Sequence, residues 1–585
     1  MKTKKRLLLL IIFVTIVWAG CERIKPNPEP ISDLAAYDDV ITNVTPGTVT
    51  IPILNNDLIN NSAVKPNLVE VDIDLSKNGV QTQFVVSEEG TWSYNTSDGN
   101  LTFTPIDYLI KNPSPIKYRL IENSIGSPME ATVKIEYKMA PLTTIKVNWF
   151  IKNVMEDIYL WYNTLPNIDP RGEFDSEAYF DTLLYVDDKW SLITNDIVAL
   201  DNSLKGKETS YGWSLAFGRF SNTKTVFALV EFVYPGTPAD IAGLKRGDMI
   251  FKMNGANITD NNYMDLLNAA SLSCTFGQYT EEGEIINTRT ESMTAQELQL
   301  DPVLLSKVIE RDGHKIGYLL YTQFINNYNS SLDDVFAQFK AQGINDLVID
   351  LRYNPGGVIT AAQHLCSSLA PASIVNSSAT LVTYHWNDKY QQYWEQQNAT
   401  NQLEVTFLNS VPQNMNLTKV YILTGSGTAS ASELTITGLK PYMDVVTVGE
   451  TTYGKYTASF VLKPEDFYDD ASYYNDFRNW GIMPIILRYA NSQGVTDFKD
   501  GFTPDIPVDD DLFTGIPLGN VQEPLLKAAV EDITGIPIVA MKSARVKPHR
   551  IFDRGFSKFD VNKRELLIDN HELTPADFKP KKLSR

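Results

Sequence analysis

Three short stretches carry residue types that could do acyl chemistry if the fold brought them together. "GTASASE" (427–433) sets small residues and hydroxyls between the apolar segments "VYIL" and "LTITGL". Small side chains before Ser430 permit a sharp approach. A helix starting near Ala431 would turn its positive dipole end toward a developing alkoxide. "NPGG" (354–357) follows a buried strand, and its glycines let the backbone come close to a ligand with N–H groups pointing outward, as an oxyanion site requires. "TTYGK" (451–455) ends an apolar stretch, and a lysine drawn out of water gives up its proton more readily, so Lys455 is a candidate base. Singly, each stretch reads equally as a tight turn, a helix cap or a surface lysine.

The elements that must position these stretches alternate between strand and helix. Over residues 299–540, "KIGYLLYTQF", "DLVIDL", "KVYILT" and "DVVTVGETTYGK" read as strands. "SSLDDVFAQFKAQG", with Ser at its cap, "VITAAQHLCSSL", "ASELTITGL" and "EPLLKAAVEDIT" read as helices. Alternation of this kind predicts a layered α/β core. Residues 140–205 form a small helical segment whose Trp149, Val154, Ile158 and Trp161 fall at helical spacings and are expected in the core. Residues 36–138 contain about seven short alternating runs, from "TVTIPIL" to "ATVKIEY", with turns such as "SKNG" and "SDGN" between them. That pattern predicts a β-sandwich. It resembles the cadherin-like and Ig-like repeats of bacterial surface proteins. Asp38, Asp39 and Asp57 read there as solvated turn carboxylates rather than calcium ligands.

Within residues 206–298, "PGTPADIAGLKRGDMIFKMNG" resembles a PDZ domain. The resemblance implies a strand edge that accepts an extended peptide end, with Tyr211, Gly212, Trp213, Ser214 and Leu215 forming the binding loop and strand. The same motif over a blocked groove is the other reading.

In this order and spacing, the stretches resemble the C-terminal-processing (tail-specific) peptidase family over roughly residues 140–540. Those serine proteases carry a PDZ domain, an "NPGG"-like turn, a Ser-Ala-Ser-type motif, and Gly-Lys 25 residues after the nucleophile. Lys455 lies 25 residues beyond Ser430, which selects Ser430 over Ser426 and Ser432. The resemblance implies a multidomain chain with a crotonase/ClpP-like α/β core. Ser430 would be the nucleophile and Lys455 the general base. N–H groups of Gly356 or Gly357 and of Ala431 would hold the oxyanion, and Glu433 would play a supporting role. Many relatives have Gln four residues after the lysine; this chain has Ser459, whose reach is shorter. A histidine-based scheme has one candidate, His364, which falls inside a helix and reads as a packed helix residue.

The chain has 585 residues and a formal charge of −20, which argues against nucleic acid as a partner. "MKTKKR" followed by "LLLLIIFVTIVWAG" reads as a signal peptide (1–20), and "WAGC" resembles a lipobox with Cys21 acylated. Residues 21–35 would then be a tether, and the protein a lipid-anchored resident of the cell envelope. Cys274 and Cys366 read as free buried thiols. The five histidines are scattered, so no metal site and no cofactor are expected. A basic tail (541–585) holds 12 basic and 6 acidic residues and is expected to dock on the acidic body. Protein or peptide substrates follow from the family resemblance. The alternatives are a catalytically weak or inactive peptide-binding lipoprotein, and an adhesion or glycan-binding protein led by the β-sandwich.

Overall fold

The computed structural model describes residues 33–122, 127–220, 225–259, 261–279 and 284–539, with two short strands at 550–551 and 566–567. The signal peptide, Cys21 and most of the tether lie outside the described residues. The chain divides into two compact units, meeting between Met139 and Ala140.

In the first unit each of the seven alternating runs contains a strand, because alternation puts every second side chain on one face. Gly90–Tyr94, for example, buries Gly90, Trp92 and Tyr94. Two four-stranded sheets form, one from Asp39–Val44, Met129–Tyr137, Ile116–Glu122 and Val69–Asp72, the other from Val49–Ile51, Leu101–Pro105, Gly90–Tyr94 and Gln83–Val86. Tyr118, Leu120 and Val133 from the first share a core with Trp92, Leu101 and Phe103 from the second. The turn carboxylates differ from expectation. Asp57 is fully buried, and the Tyr118 hydroxyl donates to it at 3.0 Å and to Asp39 at 3.2 Å. Burial pushes the Asp39 carboxyl up to about 6 and raises Asp57 as well.

The second unit opens with α1 (Leu142–Asp157), whose Phe150, Val154 and Met155 enter the main core. The helix ends before Ile158, which is buried, and Trp161 is only half-buried, so the aromatic stripe leaves the core one turn earlier than its spacing suggests. A lobe follows with β1 (Trp213–Arg219), β2 (Thr225–Val233) and β3 (Met249–Met253) in one antiparallel sheet, β1 at its edge beside β2.

Next come β4 (Val303–Arg311), β5 (His314–Tyr321), α2 (Asn329–Gln342), β6 (Asp346–Asp350), β7 (Gly357–Val358) and α3 (Ile359–Leu369). They are followed by β8 (Lys419–Thr424), α4 (Ala431–Leu439), β9 (Asp444–Gly449), β10 (Thr457–Ser459), β11 (Ile485–Asn491) and α5 (Pro524–Thr534). The central sheet runs β4-β5-β6-β8-β9 and is parallel from β5 onward. Both faces are covered, which is why these strands read as unbroken apolar runs. Leu347 and Ile349 pack with Phe336 of α2, Leu365 of α3 and Leu434 of α4, while Val348 between them packs with Leu525 of α5.

Two boundaries move. α2 is capped by Tyr328, and the serines expected at its cap lie inside it. β9 stops at Gly449, so Lys455 sits in a loop rather than at a strand end. The chain's last described pieces, β12 (Arg550–Ile551) and β13 (Leu566–Leu567), complete two sheets. β12 adds to the edge of β1, and β13 lies between β7 and β10.

Candidate functional site

Ser430 occupies the turn between β8 and α4 with φ +62° and ψ −112°, a conformation that costs a non-glycine residue about 1–3 kcal/mol. The "NPGG" turn holds it there. Asn354 O accepts the Ala429 N–H at 3.2 Å and the Ser432 hydroxyl at 3.0 Å. Gly356 lies directly against the serine: a Cβ at Gly356 would sit 2.7 Å from Ser430 Cβ and 2.9 Å from Ala429 O. Glycine at 356 is therefore a condition of the close approach.

The Ser430 side chain is fully buried, and its Oγ has no hydrogen-bond partner among the described residues. Only half of a capping box forms, because Glu433 accepts the Ser430 N–H while the serine hydroxyl caps nothing. A buried hydroxyl without a partner is costly and so uncommon. Here it sits on a strained turn, as nucleophilic serines at strand-to-helix corners do.

Glu433 is the hub. One carboxylate oxygen accepts the N–H of Ser430 at 2.9 Å and of Lys455 at 2.8 Å; the other accepts the Thr452 hydroxyl and the Gly454 N–H, both at 2.6 Å. Burial pushes this carboxyl up to about 7, and the four donors hold it from rising further. The loop carrying Lys455 is braced from outside. A Cβ at Gly454 would meet Lys499 O at 2.3 Å, and the Tyr453 N–H donates to Thr428 O at 2.9 Å. Lys455 is fully buried, its amine 6.0 Å from the centre of the Trp190 ring. The Tyr489 hydroxyl from β11 bridges the two turns, donating to Ser430 O at 3.2 Å and Lys455 O at 3.0 Å.

The candidate oxyanion donors separate. The Gly356 N–H is taken by Asn354 Oδ1 at 2.9 Å, an Asx turn that removes it from the site. Phe324 pairs with Gly356 O and the Val358 N–H, so the Gly357 N–H faces the other way. Ala431, first residue of α4, belongs to the helix's first turn, whose N–H groups have no acceptor within the helix. Ser459 is buried in β10 opposite Ile485. His364 pairs instead with Asp333 at 3.0 Å. Cys274 and Cys366 are free and buried, and burial pushes both thiols up to about 12.

In the lobe, Gly212 has φ +76°, and a Cβ there would meet Thr237 at 2.4 Å. Tyr211 is buried, and the Ser214 hydroxyl donates to buried Glu231 at 2.7 Å. Trp213, Ser214 and Leu215 line a cavity shared with Pro355 and Gly427, so the strand edge and the serine turn open into one space.

Sequence reasoning missed a buried ionic knot beside this space. Arg352 bonds Asp350 at 2.9 Å, Glu523 at 2.5 Å and Asp510 at 3.2 Å; Asp510 also takes Arg246 of the lobe at 2.6 Å. Burial would raise Asp510, but the two guanidinium groups hold it well below the usual carboxylate range. Among the described residues, no cluster of three or more His, Cys, Asp or Glu could hold a metal ion.

Comparison with known proteins converges on one family. The peptidase family S41 profile matches residues 315–508, and the S41 N-terminal domain profile matches residues 146–192. A crystallised Bacteroides fragilis protein assigned to the S41 proteases is 30% identical, with a TM-score of 0.54, over 66% of this chain and 98% of its own. The carboxyl-terminal-processing protease of Synechocystis is 26% identical over 320 residues, 53% of this chain and 66% of its own length. The carboxy-terminal processing protease of Bacillus subtilis is 24% identical over 273 residues, 46% of this chain and 51% of its own. The chain thus spans about half to two-thirds of the length of these curated relatives.

Proposed function

The chain belongs to peptidase family S41, a family of serine peptidases, and on that premise we propose that it is an endopeptidase of the C-terminal-processing type. One observation carries the reading: a single Glu433 oxygen holds the amides of Ser430 and Lys455, so the nucleophile turn and the base turn are built as one piece. Ser430 Oγ attacks the peptide carbonyl and its proton passes to neutral Lys455. The lysine is completely buried, so the step is shielded from bulk water. Transfer requires the amine to come within hydrogen-bond reach of the hydroxyl. The N–H groups of Gly357 and Ala431 stabilise the oxyanion. The C–N bond then breaks with the proton returned to the leaving amine, and water, deprotonated by Lys455, releases the acyl group from Ser430.

Glu433 is a positioning residue, and Ser459 stands where many relatives have Gln. The lobe is read as a PDZ domain that presents β1 to peptide ends, and the two-sheet unit as an Ig-like domain. Acylation at Cys21 anchors the protein in the cell envelope. A non-catalytic peptide binder is the second reading, favoured by the absence of a hydrogen bond at Ser430 Oγ. Hydrolysis of an unstructured fluorogenic peptide decides between them. The unaltered chain cleaves it with or without chelator, while folded Ser430→Ala and Lys455→Ala do not. Full activity in either variant rejects the dyad.

A further inference from the structure

The sheet behind the serine turn contains a strand that the chain supplies from its own end. Its order is β7-β13-β10-β11, with β13 parallel to both neighbours: Gly357 opposite Leu566, Val358 opposite Leu567, and Ser459 opposite Leu567. β7 is the continuation of the "NPGG" turn, and β10 begins two residues after Lys455. Without β13, these strands would be separated by two strand spacings, about 9–10 Å. That opening is one extended chain wide and is lined on both sides by main-chain N–H and C=O groups.

The same tail touches the lobe. Arg550 and Ile551 pair antiparallel with Arg219 and Gly218 of β1. The tail therefore meets the β1 edge that the proposed function assigns to peptide ends, as well as β7 and β10. Charge favours its retention: residues 541–585 carry a net +6, and the rest of the chain carries −26.

We propose that the slot between β7 and β10 receives substrate as an inserted β-strand, and that the tail segment holding Leu566–Leu567 is its resident competitor. The inference rests on the peptidase reading for the word substrate, but the slot and its occupant rest on strand pairing alone. Recognition is by main chain on both sides, so the substrate class is an unfolded, extended peptide of tolerant sequence. The tail holds the slot closed to weak ligands and yields to a peptide that pairs more extensively.

A tethered segment acts at an effective concentration on the order of 1 mM. With an intrinsic affinity of about 100 μM it leaves roughly one slot in ten open, weakening apparent substrate binding about tenfold. The test uses the full chain with Leu566→Pro and Leu567→Pro, which remove the N–H groups a central strand needs. A fluorescein-labelled synthetic peptide of residues 561–572 is titrated by anisotropy against Ser430→Ala, with and without the two prolines. About tenfold tighter binding to the proline form is expected; equal dissociation constants, or no binding to either form, overturn the proposal. On the Ser430 background, the prolines should lower KM about tenfold at constant kcat. Tighter peptide binding with no hydrolysis in any form would reject the peptidase reading and leave the slot standing.

Discussion

Two buried knots flank Asn354, and they solve the same problem in opposite ways. On one side Arg352 and Arg246 meet Asp350, Asp510 and Glu523, so each buried carboxylate has a cationic partner. On the other, Glu433 is bonded by three main-chain N–H groups and one hydroxyl, all uncharged. The ionic knot keeps Asp510 ionised far below neutrality and locks the lobe to the strand entering "NPGG". Burial pushes the Glu433 carboxyl up to about 7, and its hydrogen bonds lock the serine to the lysine. A clamp that must not respond to its surroundings is built from paired charges. A site that must move protons is built from neutral donors around one carboxyl.

That contrast is tested most severely at the serine. Ser430→Ala is expected to lower kcat on the order of 10⁶-fold, the scale on which serine hydrolases lose activity without their nucleophile. Its melting temperature should hold or rise, since an unpartnered buried hydroxyl is removed. Arg352→Met should do the reverse, leaving buried carboxylates unpaired and costing about 3–5 kcal/mol in denaturant unfolding. If Arg352→Met unfolds at the normal midpoint, the ionic knot is not the clamp described here.

Glu433→Gln places an amide NH₂ among donors, and the misaligned turns should lose about 100-fold in kcat. An equal loss of binding with kcat intact would contradict a positioning role. The smallest effect is in pH. The Glu433 value of about 7 lies above the ordinary 4.5, so its protonation favours the folded state. That contribution is complete below pH 4.5 and is lost as pH rises through about 7, whereas the acceptor geometry that positions the site is complete only above 7. Thermal stability should therefore fall, and activity rise, between pH 5 and about 8. In Glu433→Gln this part of the stability slope should vanish.

The sequence made the local pieces readable and left the long-range ones hidden. "NPGG", "GTASASE" and "TTYGK" are short, and their glycines have local causes: Gly356 meets Ser430, and Gly454 meets Lys499 O. The alternating strands and buried helices were equally readable, since periodicity is a property of neighbours. Tyr489 gave no signal, because its hydroxyl acts 59 residues from Ser430 and its ring looks like any strand aromatic. Arg246 and Asp510, 264 residues apart, gave no signal either, because only the fold brings their nearly buried side chains together. Gly356 misled in one respect: its type announced a ligand-facing amide, whereas Asn354 takes that amide and the ångströms matter instead.

The central claim is that Ser430 carries the acyl group. Mixing the full chain with a fluorogenic acyl ester, stopping the reaction within one turnover and mapping the modified peptide by mass tests it directly. The account predicts a burst approaching one equivalent, with the added mass on Ser430 and no burst in Ser430→Ala. An acyl group on any other residue, or an undiminished burst in Ser430→Ala, contradicts it.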